Sequence, residues 1–413
     1  MKTFIFNANS KKVIAKKRIR KNQILKCLRD HDVLSYADIA RLTKFSLPMV
    51  SDLIKELILE NFIIQAETPE LKVGRPPNTV RLNPEAAYII GIDIGRTVTN
   101  LVVINLKEEI VADLNLPAVN LKNQQTLIED LQDEIEQIIN KADIDQDKVI
   151  GIGIAIPGLV SSSLGKSYTY LNFDGQTIRD LIEERLDKRI VIENDANAMA
   201  LGELHFGMAR RIRNALVVNL GWGIGSGLIL NGEIYHGKSG FAGEFGHIIV
   251  DENGPLCACG KQGCLETFTS GKAIGRIAKN LLKSGAKSRL LKEYGDRIDD
   301  VSPEAIIDFA LKGDHFSIDL LEKSGQYIGK CLGIVINIFN PERIILGGRG
   351  SRAGNLILNP IKSSLLRNSI MDVNNDVDIV ISKLGYKAGS LGATTLITRE
   401  IFETSHIDMG QFV

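Results

Sequence analysis

The residues best suited to chemistry lie between Gly243 and Glu266, in the stretch GEFGHIIVDENGPLCACGKQGCLE. Three thiols, Cys257, Cys259 and Cys264, stand in one short loop with one imidazole, His247. That soft set of four is what Zn²⁺ accepts in a closed tetrahedral site. Gly260 and Gly263 allow the tight turns that converging thiolates require. Four protein ligands leave no open position, so the expected ion is structural: it holds the loop and does no chemistry itself. Glu244 precedes the histidine and Glu266 follows the last cysteine, so a loop folded on the ion can bring both carboxylates to one rim. With one ring nitrogen of His247 on the metal, the other is free for a ligand. Two fixed carboxylates and an oriented imidazole suit the hydroxyls of a sugar.

The spacing of Glu244, His247, Cys257, Cys259, Cys264 and Glu266 resembles that of the ROK family of repressors, open reading frames and sugar kinases. The likeness covers nearly the whole chain. It implies that the zinc loop, residues 244–266, orders a sugar site. Its group has an α/β, actin-like or sugar-kinase-like (ribonuclease H-like) ATPase fold of two lobes, with ligands in the cleft between them. The sequence repeats as such a fold requires: YIIGIDIGRTVTNLVVINL from Tyr88 and ALVVNLGWGIGSGLILNGEI from Ala215 each read as strand, glycine turn and strand. Between them, Leu127, Leu131, Ile135 and Ile138 mark an amphipathic helix over 124–141, and Val149 to Ile156 a buried strand ending at Pro157-Gly158.

A β-branched strand, Ile190-Val191-Ile192, runs into Glu193-Asn194-Asp195-Ala196-Asn197. A carboxylate at such a strand end can act as general base or as a strong acceptor for a sugar hydroxyl, and the run can equally do no more than cap the next helix. In the family's kinases the aspartate matching Asp195 takes the proton of the hydroxyl that attacks ATP, and the asparagine matching Asn194 binds the sugar. The expected sugar ligands are therefore Asn194, Asp195, Glu244, His247 and Glu266. Asn172 and Gly158 are weaker candidates, each able to be a plain turn residue.

Phosphoryl transfer needs small residues close to the nucleotide's phosphates, with Mg²⁺ to neutralise charge. The family's kinases read Asp-x-Gly-Gly-Thr at the first glycine turn, whereas here Asp93, Gly95, Arg96 and Thr97 put a bulky side chain in place of the second glycine. At the second turn a threonine usually follows the first glycine; here Trp222 stands between Gly221 and Gly223. The later Gly347-Gly348-Arg349-Gly350 sets an arginine where the adenine pocket is expected. An arginine can grip a phosphate; an indole cannot. The nucleotide half thus reads as degraded and the sugar half as intact.

The first 73 residues read as a basic arm and a winged helix-turn-helix. From Met1 to Asn22 there are eight basic residues and no acidic one, a composition attracted to polyanions that also fits a solvated tail. Asn22 can cap a helix carrying Ile24, Leu25 and Leu28; Ser35 with Asp38 makes a capping pair; Ser46 caps a third helix that tolerates Pro48 in its first turn. Val50, Leu53, Ile54 and Leu57 share one face of that helix, leaving Ser46, Pro48, Met49, Ser51 and Lys55 as candidate DNA contacts. Phe62 to Gln65 and Leu71 to Val73 are the expected wing strands. A linker, 74–86, follows with Gly74-Arg75-Pro76-Pro77, in which Arg75 can enter a minor groove. Repressors of the family carry a similar linker. The sugar-binding domain is assigned to 87–413.

Fifty basic and fifty acidic residues leave no net charge, so any attraction to nucleic acid must come from local patches such as the arm. No secretory signal is visible, no apolar run approaches the ~20 residues of a membrane span, and three of five cysteines lie in the metal loop, all of which fit the cytoplasm. Cys27 and Cys331 read as buried packing residues. The sequence therefore predicts a sugar-responsive transcriptional regulator, a repressor of carbohydrate-utilisation genes. It would be a homodimer or homotetramer with operator DNA and a monosaccharide as partners, structural Zn²⁺ and no catalytic residue. The alternative is an ATP-dependent, glucokinase-like sugar kinase with an appended DNA-binding domain and Asp195 as base. A third reading makes the first module a protein-docking element.

Overall fold

Local capping chemistry sets the first elements in the computed structural model, which describes residues 12–66, 78–121, 123–170 and 176–402. Helix α1 (Lys12–Asp30) runs without a break through Asn22, so that residue is interior and not the expected cap. Strand β1 (Val33–Ser35) leads into α2 (Tyr36–Thr43), where the Ser35 hydroxyl accepts from the Asp38 N–H as a capping pair should. Lys44 then takes a left-handed φ of 58° that turns the chain into α3 (Leu47–Leu59). Ser46 stands at the N-cap of α3 but its side chain makes no capping bond.

Strand β2 (Ile63–Gln65) pairs with β3 (Thr79–Leu82), which also pairs with β1, giving an antiparallel sheet in the order β1-β3-β2. The wing's return strand is therefore built from residues expected in the linker. Leu71 to Val73, like Gly74 to Pro77, lie outside the described residues. Two lysines of the basic segment are neutralised within the protein: Lys17 Nζ lies 2.6 Å from Glu56, and the buried Lys21 lies 2.9 Å from Glu56 and 2.8 Å from Glu60. The part of the arm before residue 12 is outside the described residues.

The first lobe contains β4 (Tyr88–Ile94), β5 (Val98–Asn105), β6 (Ile110–Pro117), α4 (Gln124–Ala142) and β7 (Val149–Ile156). A small hairpin follows, β8 (Val160–Ser161) with β9 (Lys166–Ser167), then α5 (Ile178–Leu186), β10 (Ile190–Asn194) and α6 (Asp195–His205). The second lobe contains β11 (Ala215–Leu220), β12 (Ile224–Leu230), β13 (Glu233–Ile234), α7 (Gly271–Lys283), α8 (Pro303–Leu311), α9 (His315–Phe339), β14 (Arg343–Gly347), α10 (Asn355–Asn368) and β15 (Asp378–Ile381). Helix α11 (Ala388–Phe402) returns to the first lobe.

The sheets run β10-β7-β4-β5-β6 and β13-β12-β11-β14-β15. In each, the first strand pairs antiparallel with the second and parallel with the fourth, so the duplication read in the sequence is a duplication of topology. Strands such as Val149–Ile156 are apolar almost throughout because helices cover both sheet faces. Leu127, Leu131, Ile135 and Ile138 of α4 pack beneath the first sheet. On the other face α11 lies so close to α6 that a methyl on Gly392 would stand 1.6 Å from the Ala198 carbonyl oxygen.

One apolar cluster joins the modules. Ile24, Leu28, Ile54 and Val80 of the winged module share a core with Ile89, Val102 and Ile104 of the first lobe and with Leu391, Ile397, Ile401 and Phe402 of α11. Cys331 is buried under the second sheet as expected, while Cys27 is only half-buried. Among the described residues no helix is long and apolar enough to cross a membrane.

Candidate functional site

The metal loop is held by its own backbone. Ile249 bridges to Cys264 and Leu256 to Gln262, and Gly263, at φ 71°, passes so close to Asp251 that a methyl would lie 1.5 Å from its carbonyl oxygen. These constraints bring one ligand atom each of His247, Cys257, Cys259 and Cys264 within 4.8 Å of one another. The Cys259 and Cys264 sulfurs are 3.6 Å apart, and Cys257 Sγ is 3.5 Å from His247 Nδ1. A tetrahedron with Zn–S of about 2.3 Å and Zn–N of about 2.0 Å has edges of about 3.8 and about 3.5 Å. The donors therefore fit the ion. Burial raises the Cys257 thiol and pushes Cys264 up to about 12, while for Cys259 burial is outweighed by backbone and thiol hydrogen bonds, which lower it; a cation bound there would favour all three as thiolates.

The imidazole is aimed both ways, as its two nitrogens permit. Nδ1 faces the sulfurs, and Nε2 lies 3.6 Å from the Glu244 carboxylate. Glu244, His247, Glu266, Asn194 and Asp195 all line one interlobe cleft of about 740 Å³, together with Gly158. Asn172 lies outside the described residues. Burial raises Glu244, helped by the Glu266 charge and opposed by His247 and Lys261. Asp195, at the junction of β10 and α6, is pushed up to about 6 by burial and by Glu244; N–H groups at the helix start and Arg96 pull it back. Asp93, at the end of β4, rises to about 7 through burial and the Asp195 charge. Crowded carboxylates of raised pKa in a cleft are arranged to receive hydroxyls or protons.

Asn194 is already committed. Its amide oxygen caps α6 by accepting from the Ala196 and Asn197 N–H groups, and its NH₂ donates to the Gly158 carbonyl and to Asp195. It lines the cleft with these bonds made, one of them to Asp195. Glu193, which the sequence reading did not single out, is buried beside it, accepting from Asn197 and pairing at 2.8 Å with His236 Nε2 from the second lobe. Lys261 was also missed; its ammonium donates to the His247 carbonyl at the rim. Tyr170 was a third omission. Its ring lies 4.5 Å from the Arg96 guanidinium, which also donates to its hydroxyl.

The glycine turns line the same cleft. Gly95 N–H donates to Val98, and Asn100 donates to Asp93 at 3.4 Å, so the first turn keeps its shape although Arg96 replaces a glycine. The second is pinned to the start of α7: Gly271 and Lys272 N–H groups donate to the Gly221 and Trp222 carbonyls. The Trp222 side chain is 42% exposed, facing the cleft. Behind it, the space lined by Thr97, Trp222, Pro303 and Ile307 is only about 50 Å³, and Arg349 there lies 3.7 Å from Glu304.

The sequence model of the ROK family matches residues 89–400. The chain belongs to the ROK family. A second model, winged helix-turn-helix DNA-binding, matches residues 18–64. A putative xylose repressor of Caldicellulosiruptor sp. (strain Rt8B.4) is 32% identical over 93% of this chain and 96% of its own. The crystal structure of a ROK family transcriptional regulator, homolog of E. coli MLC protein, superposes with a TM-score of 0.77 at 26% identity, covering 94% of this chain and 97% of that one. A ROK family glucokinase from Streptomyces griseus, in complex with glucose and AMPPNP, matches with a TM-score of 0.68 at 30% identity, covering 75% of this chain and 99% of that one.

In this ROK protein the winged module adds what the glucokinase match does not span. Val50, Leu53, Ile54 and Leu57 of α3 are buried. Pro48 and Lys55 are exposed on its outer side, with Lys55 3.7 Å from the exposed Asp52, while Met49 and Ser51 are half-buried. Ser46 is exposed at the helix start, and Arg75 lies outside the described residues.

Proposed function

We propose that this chain is a sugar-responsive transcriptional repressor that does not phosphorylate its effector. One observation carries the reading: a single cleft joins a rim of carboxylates and imidazole to a nucleotide turn occupied by an indole, and the lobe that floors it shares a core with a winged helix-turn-helix. Asp195, Glu244, His247 and Glu266 receive the hydroxyls of a monosaccharide, with Asn194 holding Asp195. Zn²⁺ on His247, Cys257, Cys259 and Cys264 fixes the rim. Ser46, Pro48, Met49, Ser51, Lys55 and Arg75 meet the operator, with α3 in the major groove.

A homodimer presents two such helices to half-sites about one helical turn apart, and its work on chromosomal DNA places it in the cytoplasm. Sugar shifts the DNA affinity only by as much as its own affinity differs between the two lobe arrangements. The runner-up is a kinase, favoured by Asp195, whose pKa of about 6 suits a general base. The test is a coupled assay for sugar-dependent ADP formation run beside a melting-temperature screen of monosaccharides and electrophoretic shift with genomic fragments. The expected result is a sugar that raises the Tm and alters the shift without ADP release. Turnover at ordinary kinase rates, abolished by Asp195→Asn, would overturn it.

A further inference from the structure

Trp222 does more than obstruct. Its loop is fixed on both sides: Gly221 and Trp222 carbonyls accept from Gly271 and Lys272, and Gly221 N–H donates to Gly223. The indole is therefore presented on a braced backbone, 42% exposed, in a cleft of about 740 Å³. Pockets of about 300–1,000 Å³ enclose drug-sized ligands, so this cleft has room for more than one sugar ring. The indole is on the lining of that cleft. A smaller space of about 50 Å³ adjoins it, with Arg349 and Glu304 3.7 Å apart on its lining.

We infer that Trp222 is the platform of a second sugar subsite, and that the effector is a disaccharide or glycoside. Its first ring meets the acidic rim and its second lies on the indole. This rests on the sugar-sensor reading above. A pyranose has one face of C–H groups and a perimeter of hydroxyls, which matches a flat apolar ring flanked by polar side chains. The flanks are present, since Lys272 and Arg349 line the cleft with Trp222. The two subsites also adjoin. Glu266 accepts from the Ile224 N–H at 3.3 Å, and a methyl on Gly223 would lie 2.8 Å from the same carboxylate oxygen. A ring held by Glu266 is thus next door to a ring on the neighbouring indole, as a glycosidic link requires.

Trp222 is the chain's one tryptophan, so its emission reports on this subsite directly. Full-length protein is titrated with xylose and xylobiose, glucose and cellobiose, N-acetylglucosamine and its β-1,4 dimer, and ATP, following fluorescence and melting temperature. The expected result is one disaccharide binding at least about tenfold tighter than its monosaccharide, with a saturable change in emission. In calorimetry, Trp222→Ala is expected to collapse that ratio to about one and Trp222→Phe to retain part of it. Equal affinity for the two lengths, or tight disaccharide binding that leaves the emission unchanged, would overturn the subsite. So would ATP saturating the same signal. If no sugar of either length raises the Tm, the sensor reading itself falls, an outcome distinct from a monosaccharide that binds while its dimer gains nothing.

Discussion

At one end of the cleft, burial and the Glu244 charge lift Asp195 to about 6, burial and the Glu266 charge raise Glu244, and Asn194 donates to Asp195 beside the His/Cys loop. At the other end, the turn from Gly221 to Gly223 is bonded through its backbone to α7 and bears an indole, and Arg349 lies 3.7 Å from Glu304. The two ends grow from different elements: the acidic rim from the β10-α6 junction and the loop after β13, the indole turn from the β11-β12 pair. They therefore differ in backbone as well as in side chains. The sheets depend on apolar strands and the cleft's chemistry on a few loop residues, so either end can change while the scaffold stays.

The harshest way to break this contrast is to remove the metal. Chelation under reducing conditions is expected to abolish the sugar-induced rise in melting temperature and to lower the Tm itself by about 10 °C, read by scanning fluorimetry. A full sugar response in metal-free protein would show the rim to be independent of the loop. Next in size, Asp195→Asn or Glu244→Gln removes a charge-assisted acceptor worth about 1.5–3 kcal/mol, and calorimetry should find sugar affinity about 10- to 100-fold weaker.

Titration sharpens the same contrast by a smaller step. With Asp195 at about 6, sugar affinity should rise about tenfold between pH 5 and 7 as the carboxylate ionises, and Asp195→Asn should flatten the profile. Stability runs the other way. Asp93 and Asp195 hold their protons more tightly folded than unfolded, so their contribution is full below about pH 4 and is lost as pH rises through about 6 and 7. Urea midpoints should accordingly fall less between pH 5 and 8 in Asp93→Asn. The smallest effect belongs to the pair at the nucleotide end. Glu304→Gln is expected to move the Tm by no more than about 2 °C and sugar affinity by less than about twofold, because a part-exposed ion pair contributes little. A large loss of sugar affinity would show the two ends to be coupled.

What was legible in the sequence had local causes. Ser35 and Asp38 sit three apart and cap one helix; Val50, Leu53, Ile54 and Leu57 recur at helical spacing; the glycine turns repeat with their strands. What was not legible depends on residues that meet only after folding. Lys21 finds Glu60, and Glu193 finds His236, across about forty positions. Arg96 settles on Tyr170 from more distant sequence still. Strand β3 was missed because Thr-Val-Arg-Leu, though it alternates, is only four residues long and follows close on two prolines. Asn194 was expected to face a ligand, and only the geometry of Gly158 and the α6 amides reveals how its amide is used.

Helix α11 begins where Gly389 lies against the Asp93 carboxylate and finishes with Phe402 beneath the Arg29 guanidinium of the winged module. Helix α11 is thus a strut running from the floor of the binding cavity to the winged module. Trimming the protein before Ile401 would strip two buried side chains from beneath that module without altering any operator-facing residue, and a rotation that tilts the strut carries the module along with it.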